Sequence, residues 1–513
     1  MRRATDRAAL AALAAVAVWL ATPSAQDAGI PSARRSIATD IAAPGIDRGL
    51  RIGEPRAART SGDAILRQRS GADYLRGSLV VKLRPGTSDA ARQALLASID
   101  GAAGGRLPYA DFEVVTLRPD ADPEAVARRL SAQADVEYAQ ARYRVYPALV
   151  PNDPLYREQW NYPALDMERA WDINPGAAPA ITVAVLDSGV AYRNITLRFQ
   201  TLPTGVGGIL FPSLGTIDVP FAAAPELGGP DRFVAPRDFI WDDTTPVDMD
   251  GHGTHVAGTL GQLTNNNVGV AGMAFNVRLM PVKVIVGFWD EYFGSPFVGT
   301  DDVVARGVRY AVDNGARVLN MSIGRSGPPA PVVQEAIAYA VSRGAFVVVA
   351  GGNDFLEGNP VERVAEFAPQ IDGMVSVSAV GRDRQRAIYS STGPHIELTA
   401  PGGDASRGGP PAMILQQTYD LDFVETFVDG PGRLRPPRFD VFAYQYFQGS
   451  SMAVPHVSGL AAMLMQQGIT SPAAIEAAMK RYATDLGPPG RDNEYGVGMI
   501  NPRASLRGMG LAR

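Results

Sequence analysis

Five short runs of apolar, mostly β-branched residues, at 181–186, 279–286, 317–323, 346–350 and 374–380, punctuate the larger part of this 513-residue chain. Helix-period segments at 301–314 and 331–342 lie between several of them. Runs that are apolar at nearly every position, rather than at alternate ones, belong to strands covered on both faces. Strands alternating with helices close into a mostly parallel α/β sheet. In such sheets ligands gather at the carboxyl ends of the strands. Asp187 and Asn353 both stand at such ends.

The front of the chain is different. Residues 1–149 carry 21 Lys/Arg against 16 Asp/Glu, whereas residues 150–513 carry 27 against 37. A basic front and an acidic body attract one another, and the acidic body argues against nucleic-acid binding. Arg2, Arg3 and Arg7 precede an apolar stretch at 8–21 and the small residues Ser24-Ala25. That order reads as an export signal over 1–25, which places the mature protein outside the cell or in a periplasm. The stretch is short for a membrane span and no later run is long enough, so no stable membrane anchor is expected. The absence of cysteine excludes disulfides, thiol catalysis and cysteine metal sites.

Residues 26–75 contain a single aromatic, Tyr74, and read as a weakly ordered spacer. Over 76–147 the pattern becomes β-α-β-α-β. Strand alternation falls at 77–84, 112–117 and 136–145, and helical spacing at 88–99 and 123–133, with Asp122 as N-cap of the second helix. A small α+β unit is therefore expected there, with a boundary near 148 and the α/β body over 148–513.

Three glycine-framed segments carry the chemistry: Val185-Leu186-Asp187-Ser188-Gly189, Gly251-His252-Gly253-Thr254-His255, and Gly449-Ser450-Ser451-Met452-Ala453. A serine hydroxyl is a poor nucleophile until a base takes its proton, and histidine is the natural base at neutral pH. A buried carboxylate holds the imidazole in the correct tautomer and stabilises its cation. The order Asp, His, Ser separates this arrangement from other triad enzymes. Helical spacing over 452–465 puts Ser451 at a helix N-terminus, whose dipole favours an oxyanion. His252 and His255 are spaced i,i+3 with no third ligand motif, which does not make a metal site.

These segments resemble the subtilisin-like serine proteases (peptidase S8), and Asn152-Asp153-Pro154 resembles the opening of a thermitase-like mature domain. The resemblance implies a subtilisin-like, mostly parallel sheet flanked by helices. It implies a serine endopeptidase acting on polypeptide substrates through Asp187, His252 and Ser451, with no catalytic cofactor. Ser450 then matches the residue before the nucleophile, and His255 and His456 are left as packing or network residues. His395 has no assigned role. Asn353, in Val348-Val349-Ala350-Gly351-Gly352-Asn353, resembles the oxyanion-hole asparagine. Ser322, Ile323 and Gly324, with Gly351 and Gly352, resemble the substrate-binding walls, for which an apolar or aromatic residue before the scissile bond is expected. The unit at 76–147, in its position upstream, resembles the ferredoxin-like inhibitory propeptide of fervidolysin- and thermitase-like enzymes. This implies a self-processed zymogen whose own propeptide is its inhibitor.

The segment at 263–272 resembles the family's calcium loop. The implied ligands are Asp153, Asn266 and the carbonyls of Leu263, Val268 and Val270, a hard-oxygen set suited to calcium. Relatives supply a carboxylate nine residues after the triad Asp, where this chain has Thr196. Stretches at 193–243, 287–297 and 403–447 are insertions relative to a compact subtilisin. The aromatic residues of 287–297 suit either a substrate rim or self-packing, and Tyr444, Tyr446 and Phe447 suit the far side of the cleft. Two other readings stand beside the protease. One is an inactive peptide-binding scaffold, against which the full set of catalytic groups argues. The other is an ester hydrolase, against which the lack of a G-x-S-x-G elbow argues.

Overall fold

In the computed structural model, which describes residues 74–106, 110–143, 149–206, 209–424 and 435–508, the chain divides at Ala148 into two compact units. The export signal, nearly all of the spacer and the stretch around the boundary lie outside the described residues. Among the described residues no helix is long and apolar enough to cross a membrane.

The N-terminal unit holds β1 (Tyr74–Leu83), α1 (Asp89–Ala97), β2 (Ala102–Arg106), β3 (Glu113–Thr116), α2 (Pro123–Ser131) and β4 (Val136–Tyr143). The sheet order is β2-β3-β1-β4, every neighbour antiparallel. Strand β2 is the one element the sequence pattern omits: Ala-Ala-Gly-Gly-Arg carries neither alternation nor β-branched residues. It completes a β-α-β-β-α-β, ferredoxin-like order. Leu79 and Val81 of β1, Val115 of β3 and Val126 and Leu130 of α2 form its core. Asp122 caps α2 by accepting the Glu124 N–H.

In the large unit β5 (Thr182–Asp187) is followed by the hairpin β6 (Ile195–Gln200) and β7 (Thr216–Phe221), then β8 (Arg237–Asp238), α3 (His252–Gly261) and β9 (Arg278–Lys283). After the short helix α4 (Phe288–Tyr292) come α5 (Asp301–Asp313), β10 (Val318–Met321), α6 (Pro331–Ser342), β11 (Phe346–Ala350), β12 (Met374–Val380) and β13 (Leu398–Pro401). A second hairpin, β14 (Ile414–Tyr419) and β15 (Phe442–Phe447), leads to α7 (Ser450–Gln466). The seven-stranded sheet runs β8-β9-β5-β10-β11-β12-β13, parallel throughout.

Both faces of β5 are sealed, Val183 and Val185 on one and Ala184 and Leu186 on the other. Helices α5 and α6 cover the Ala184/Leu186 face with Val308, Ala311, Ile337 and Ala340. Helix α7, buried almost all round, packs on the sheet and on α3. The chain leaves β5 toward β9 on one side and later toward β10 on the other, so the order reverses at β5. Its carboxyl end, at Asp187, is the switch point where such sheets place their sites.

The insertions pack on each other. Hairpin β6–β7 stacks Phe221 on Phe439 of the 403–447 segment, and Phe199 on Phe293 of the 287–297 segment with ring centres 4.4 Å apart. Trp289, Tyr292 and Phe293 are buried, packed on one another and, through Phe293, on Phe199; Phe297 is exposed.

Candidate active site

Asp187 ends β5 with no exposed surface, and its Oδ1 lies 2.7 Å from His252 Nδ1. His252 opens α3. The approach of that helix to the Asp187 segment needs glycine at Gly253, where an added Cβ would stand 2.1 Å from the Gly189 carbonyl. A residue that the sequence motifs do not announce organises the junction. Buried Asp248 accepts the Gly251 N–H at 2.9 Å and the Ser188 hydroxyl at 2.9 Å through Oδ1. Through Oδ2 it accepts the Thr254 N–H at 2.9 Å and the Thr254 hydroxyl at 2.6 Å. A carboxylate on the first N–H groups of a helix caps it and opposes its dipole. Only the helix-start signal of an Asp before the motif pointed to it.

Burial of the His252 ring disfavours its cation. The Asp187 carboxylate, through charge and hydrogen bond, and the charges of Asp250 and Asp248 outweigh that, and the imidazole is lifted from 6.5 to about 9. The other histidines behave oppositely. Burial pushes His255 down to about 3 and His456 down to about 4, so both are neutral and structural. His255 stacks on Phe447 and faces the Ile414 and Gln445 carbonyls. His456 bridges Met452 O and the Asn161 amide. His395, unassigned in the sequence, is buried with its Nε2 3.2 Å from the carbonyl of Gly351, one of the substrate-wall candidates.

Helix α7 begins at Ser450, two residues before the expected start, so Ser451 lies inside its first turn. The two serines differ. Ser450 is fully buried, and its hydroxyl donates to Asn353 Oδ1 at 2.9 Å and accepts the Gly352 N–H. The Ser451 hydroxyl is only partly buried and makes one long bond, 3.3 Å to the Ser322 carbonyl. Asn353 Oδ1 also accepts the Ser450 N–H at 2.8 Å. Since that atom takes donors it is the amide oxygen, and the NH2 group is left free to donate. An added Cβ on Gly449 would stand 3.6 Å from both Asn353 Nδ2 and the Ser451 nitrogen. The two N–H groups thus border one space, kept open by a glycine at φ 152°. Substrate-wall candidates Ser322, Ile323 and Gly324 follow β10, and Gly351 and Gly352 follow β11, the neighbouring strand.

The loop at 263–272 closes on the segment after the boundary. Asp153 accepts the Asn265 and Asn266 N–H groups, and Asn266 Oδ1 accepts the Val268 N–H. The carbonyls of Leu263, Val268 and Val270 take no protein donor among the described residues. Thr196 lies on β6 opposite Pro220 and brings nothing to the loop. Instead the chain returns after the β6–β7 hairpin and presents Glu226. This buried carboxylate is bonded through Oε1 to Tyr444 and Gln417, while its Oε2 has no partner. Its main-chain carbonyl accepts the Leu263 N–H at 2.9 Å, which ties it to the loop. Burial raises the Glu226 carboxyl, and the nearby Asp153 charge adds to the rise. A carboxylate pair coupled through its charge, an unpartnered buried oxygen and three free carbonyls fit a hard divalent cation. Counting nine residues from Asp187 does not reach Glu226 because the hairpin intervenes. Tyr444 is bonded to Glu226, and Phe447 stacks on His255.

Residues 178–498 match the model of the subtilase family, and residues 60–141 match that of the fervidolysin N-terminal prodomain. The chain is 29% identical over 375 residues to the thermophilic serine proteinase of Bacillus sp. (strain AK1), covering 73% of this chain and 74% of that protein. It is 28% identical over 356 residues to thermitase of Thermoactinomyces vulgaris, covering 68% and 97%. The crystal structure of fervidolysin from Fervidobacterium pennivorans shares the fold with a TM-score of 0.50 at 21% identity, covering 86% of this chain and 63% of that one. The chain belongs to the subtilase family: it is a subtilisin-like serine protease with an N-terminal prodomain of the fervidolysin type.

Proposed function

We propose that the protein is an exported endopeptidase that hydrolyses peptide bonds through an acyl-enzyme at Ser451. His252 takes the Ser451 proton as Oγ attacks the carbonyl carbon and returns it to the leaving amine. A water then repeats the sequence on the ester. Asp187 holds Nδ1–H, so Nε2 is the basic nitrogen. The Asn353 amide and the Ser451 N–H receive the oxyanion. Loss of one such donor in subtilisin itself lowers turnover by a factor of the order of 10²–10³. The extended substrate lies along the backbone of Ser322, Ile323 and Gly324 opposite Gly351 and Gly352, adding as a strand.

The observation that carries this reading is the 2.7 Å bond between a fully buried Asp187 and His252, at the switch point of the sheet. The N-terminal unit acts as intramolecular inhibitor and is removed by the enzyme's own activity near 146–152. The export signal at 1–25 delivers the precursor to the extracellular or periplasmic space. Asp153, Asn266, the Leu263, Val268 and Val270 carbonyls and Glu226 would hold calcium, which would supply structural cross-linking and take no part in the catalytic step.

Expression of the full chain tests the proposal. The native sequence is expected to yield a trimmed product that a fluorophosphonate labels at Ser451. Ser451→Ala is expected to accumulate the uncleaved precursor and to take no label. Normal trimming of Ser451→Ala, or labelling at Ser450, would defeat it.

A further inference from the structure

The two substrate walls flank a charged group that no sequence motif announces. Glu362 is 6% exposed. An added Cβ on Gly324 would stand 2.5 Å from its carboxylate, and one on Gly352 would stand 3.5 Å from its Cβ. The Glu362 side chain therefore runs between the walls, with its carboxylate in the space that only a glycine at 324 leaves. Oε1 accepts the Arg325 N–H at 2.5 Å and the Val364 N–H at 3.3 Å. Oε2 takes no protein donor among the described residues, and it is not among the oxygens sealed from solvent.

Among the described residues no cation pairs with it. The Arg325 guanidinium turns to Asp301, with bonds of 2.7 and 2.6 Å, and Arg363 turns to Glu366 at 2.9 Å. Burial, the largest influence, lifts the Glu362 carboxyl from 4.5 to about 7; its two N–H donors resist, and the Asp354 charge adds to the rise. The Arg325 charge also resists the rise without pairing directly with the carboxylate, and a buried carboxylate with no cation in contact is costly to keep. Its placement between substrate walls gives that cost a use.

We infer that Glu362 is the acidic floor of the pocket for the residue preceding the scissile bond (P1), and that the enzyme cleaves after lysine or arginine. The inference rests on the reading of Ser322–Gly324 and Gly351–Gly352 as substrate walls. An entering ammonium or guanidinium meets Oε2, supplies the missing charge and displaces the water there. An apolar side chain leaves the carboxylate dehydrated and unpaired, and that asymmetry discriminates more strongly than packing alone. The apolar expectation from the family resemblance does not take this residue into account.

Fluorogenic peptides identical except at P1 (Lys, Arg, Leu, Phe, Ala, Glu) test it on the processed enzyme. Lys and Arg are expected to exceed Leu and Phe by about tenfold or more in kcat/KM. Glu362→Gln, which keeps an oxygen for the Arg325 and Val364 N–H groups, is expected to bring the ratio of kcat/KM for Lys and Arg over that for Leu and Phe down to about one. Benzamidine, a P1 cation mimic, is expected to inhibit the native enzyme competitively, a readout that needs no variant. A native preference for Leu and Phe, or for Ala alone because the carboxylate fills the pocket, overturns the inference and leaves the protease reading standing. So does a Glu362→Gln profile equal to the native one. A protein that cleaves none of the panel and takes no fluorophosphonate overturns both.

Discussion

Ser322 and Ser451 exchange hydrogen bonds. The Ser322 hydroxyl donates to the Ser451 carbonyl at 2.9 Å, and the Ser451 hydroxyl donates to the Ser322 carbonyl at 3.3 Å. The first bond has a cause four residues along the helix. Pro455 has no N–H, so the Ser451 carbonyl lacks its intrahelical donor, and Ser322 supplies one from the substrate wall. Asn320 and Ser458 extend the chain, Asn320 Nδ2 donating to Ser322 Oγ and Ser458 Oγ donating to Asn320 Oδ1. Ser451 and Ser322, the proposed nucleophile and substrate wall, are thereby fixed to one another.

Ser322→Ala leaves the Ser451 carbonyl without a donor. The expected loss is about 1–2 kcal/mol of stability, with kcat down about tenfold or more as the nucleophile loses its support. Adding Pro455→Ala restores a helical N–H for the same carbonyl, so the double variant is expected to recover part of the stability. Urea titrations of the four proteins, in a Ser451→Ala background to prevent autolysis, measure the coupling; strict additivity would show that Pro455 and Ser322 are not linked.

The pH dependence follows from His252. A general base acts only when neutral, and its raised value near 9 means that it is mostly protonated at pH 7. The expected kcat/KM therefore climbs through neutrality and levels off above about pH 9, the free-enzyme value being the one such a profile reports. Asp250→Asn removes one of the carboxylates that hold the proton on, and the midpoint is expected to move to lower pH. The same linkage bears on stability: the raised value stabilises the fold fully below pH 6.5 and the contribution disappears as pH rises through about 9. A rate profile flat from about pH 6 to about pH 10 would contradict this.

Much of this was legible in the sequence because two physical signals are local. Strands sealed on both faces must be apolar throughout, and the runs at 346–350 and 374–380 coincide with β11 and β12. The triad candidates sit in glycine-framed turns whose backbone geometry is written in adjacent residues. What escaped was set by closure of the chain. Glu226 reaches the 263–272 loop only because β6 and β7 pair and remove some twenty residues from the count. Glu362 gains meaning only when Gly324 and Gly352, from different strands, come to either side of it. The aromatic residues of 287–297 could not be oriented by pattern because Phe293 stacks on Phe199, which lies in another insertion.

Calcium binding makes a separate prediction. The Asp153 charge acts on Glu226, whose Oε2 has no hydrogen-bond partner, so without a cation their repulsion opposes folding. Calcium is expected to raise the melting temperature of the Ser451→Ala protein and EDTA to lower it, by the mass-action term for a ligand that binds the folded state alone. Glu226→Gln is expected to shrink the difference by removing one charge from the site. Equal melting temperatures in calcium and EDTA would mean that the loop is held by the Asp153 hydrogen bonds by themselves.

Lys283 lies in register with Asp187 on the neighbouring strand, fully buried, its Nζ 2.7 Å from the equally buried Asp290. Asp238 is close enough to share the charge, and its Oδ2 has no hydrogen-bond partner. Asp290 is also held by the Trp241 indole N–H at 2.8 Å and the Gly287 N–H at 3.0 Å. One lysine thus holds the Asp290 carboxylate directly and acts on Asp238 through its charge, tying two insertions to the strand beside the site. Burial works against the Lys283 cation, but the Asp290 and Asp238 charges prevail and it stays protonated. Lys283→Met removes the only cation recorded in contact with the Asp290 carboxylate among the described residues, and the expected loss is about 3–5 kcal/mol, the cost of an uncompensated buried charge. Lys283→Met with Asp290→Asn and Asp238→Asn removes the charges together and is expected to regain most of that loss. Denaturant midpoints separate the cases. A single variant as stable as the native protein would mean that the carboxylates take up protons at little cost, and that the cluster does not anchor the insertions.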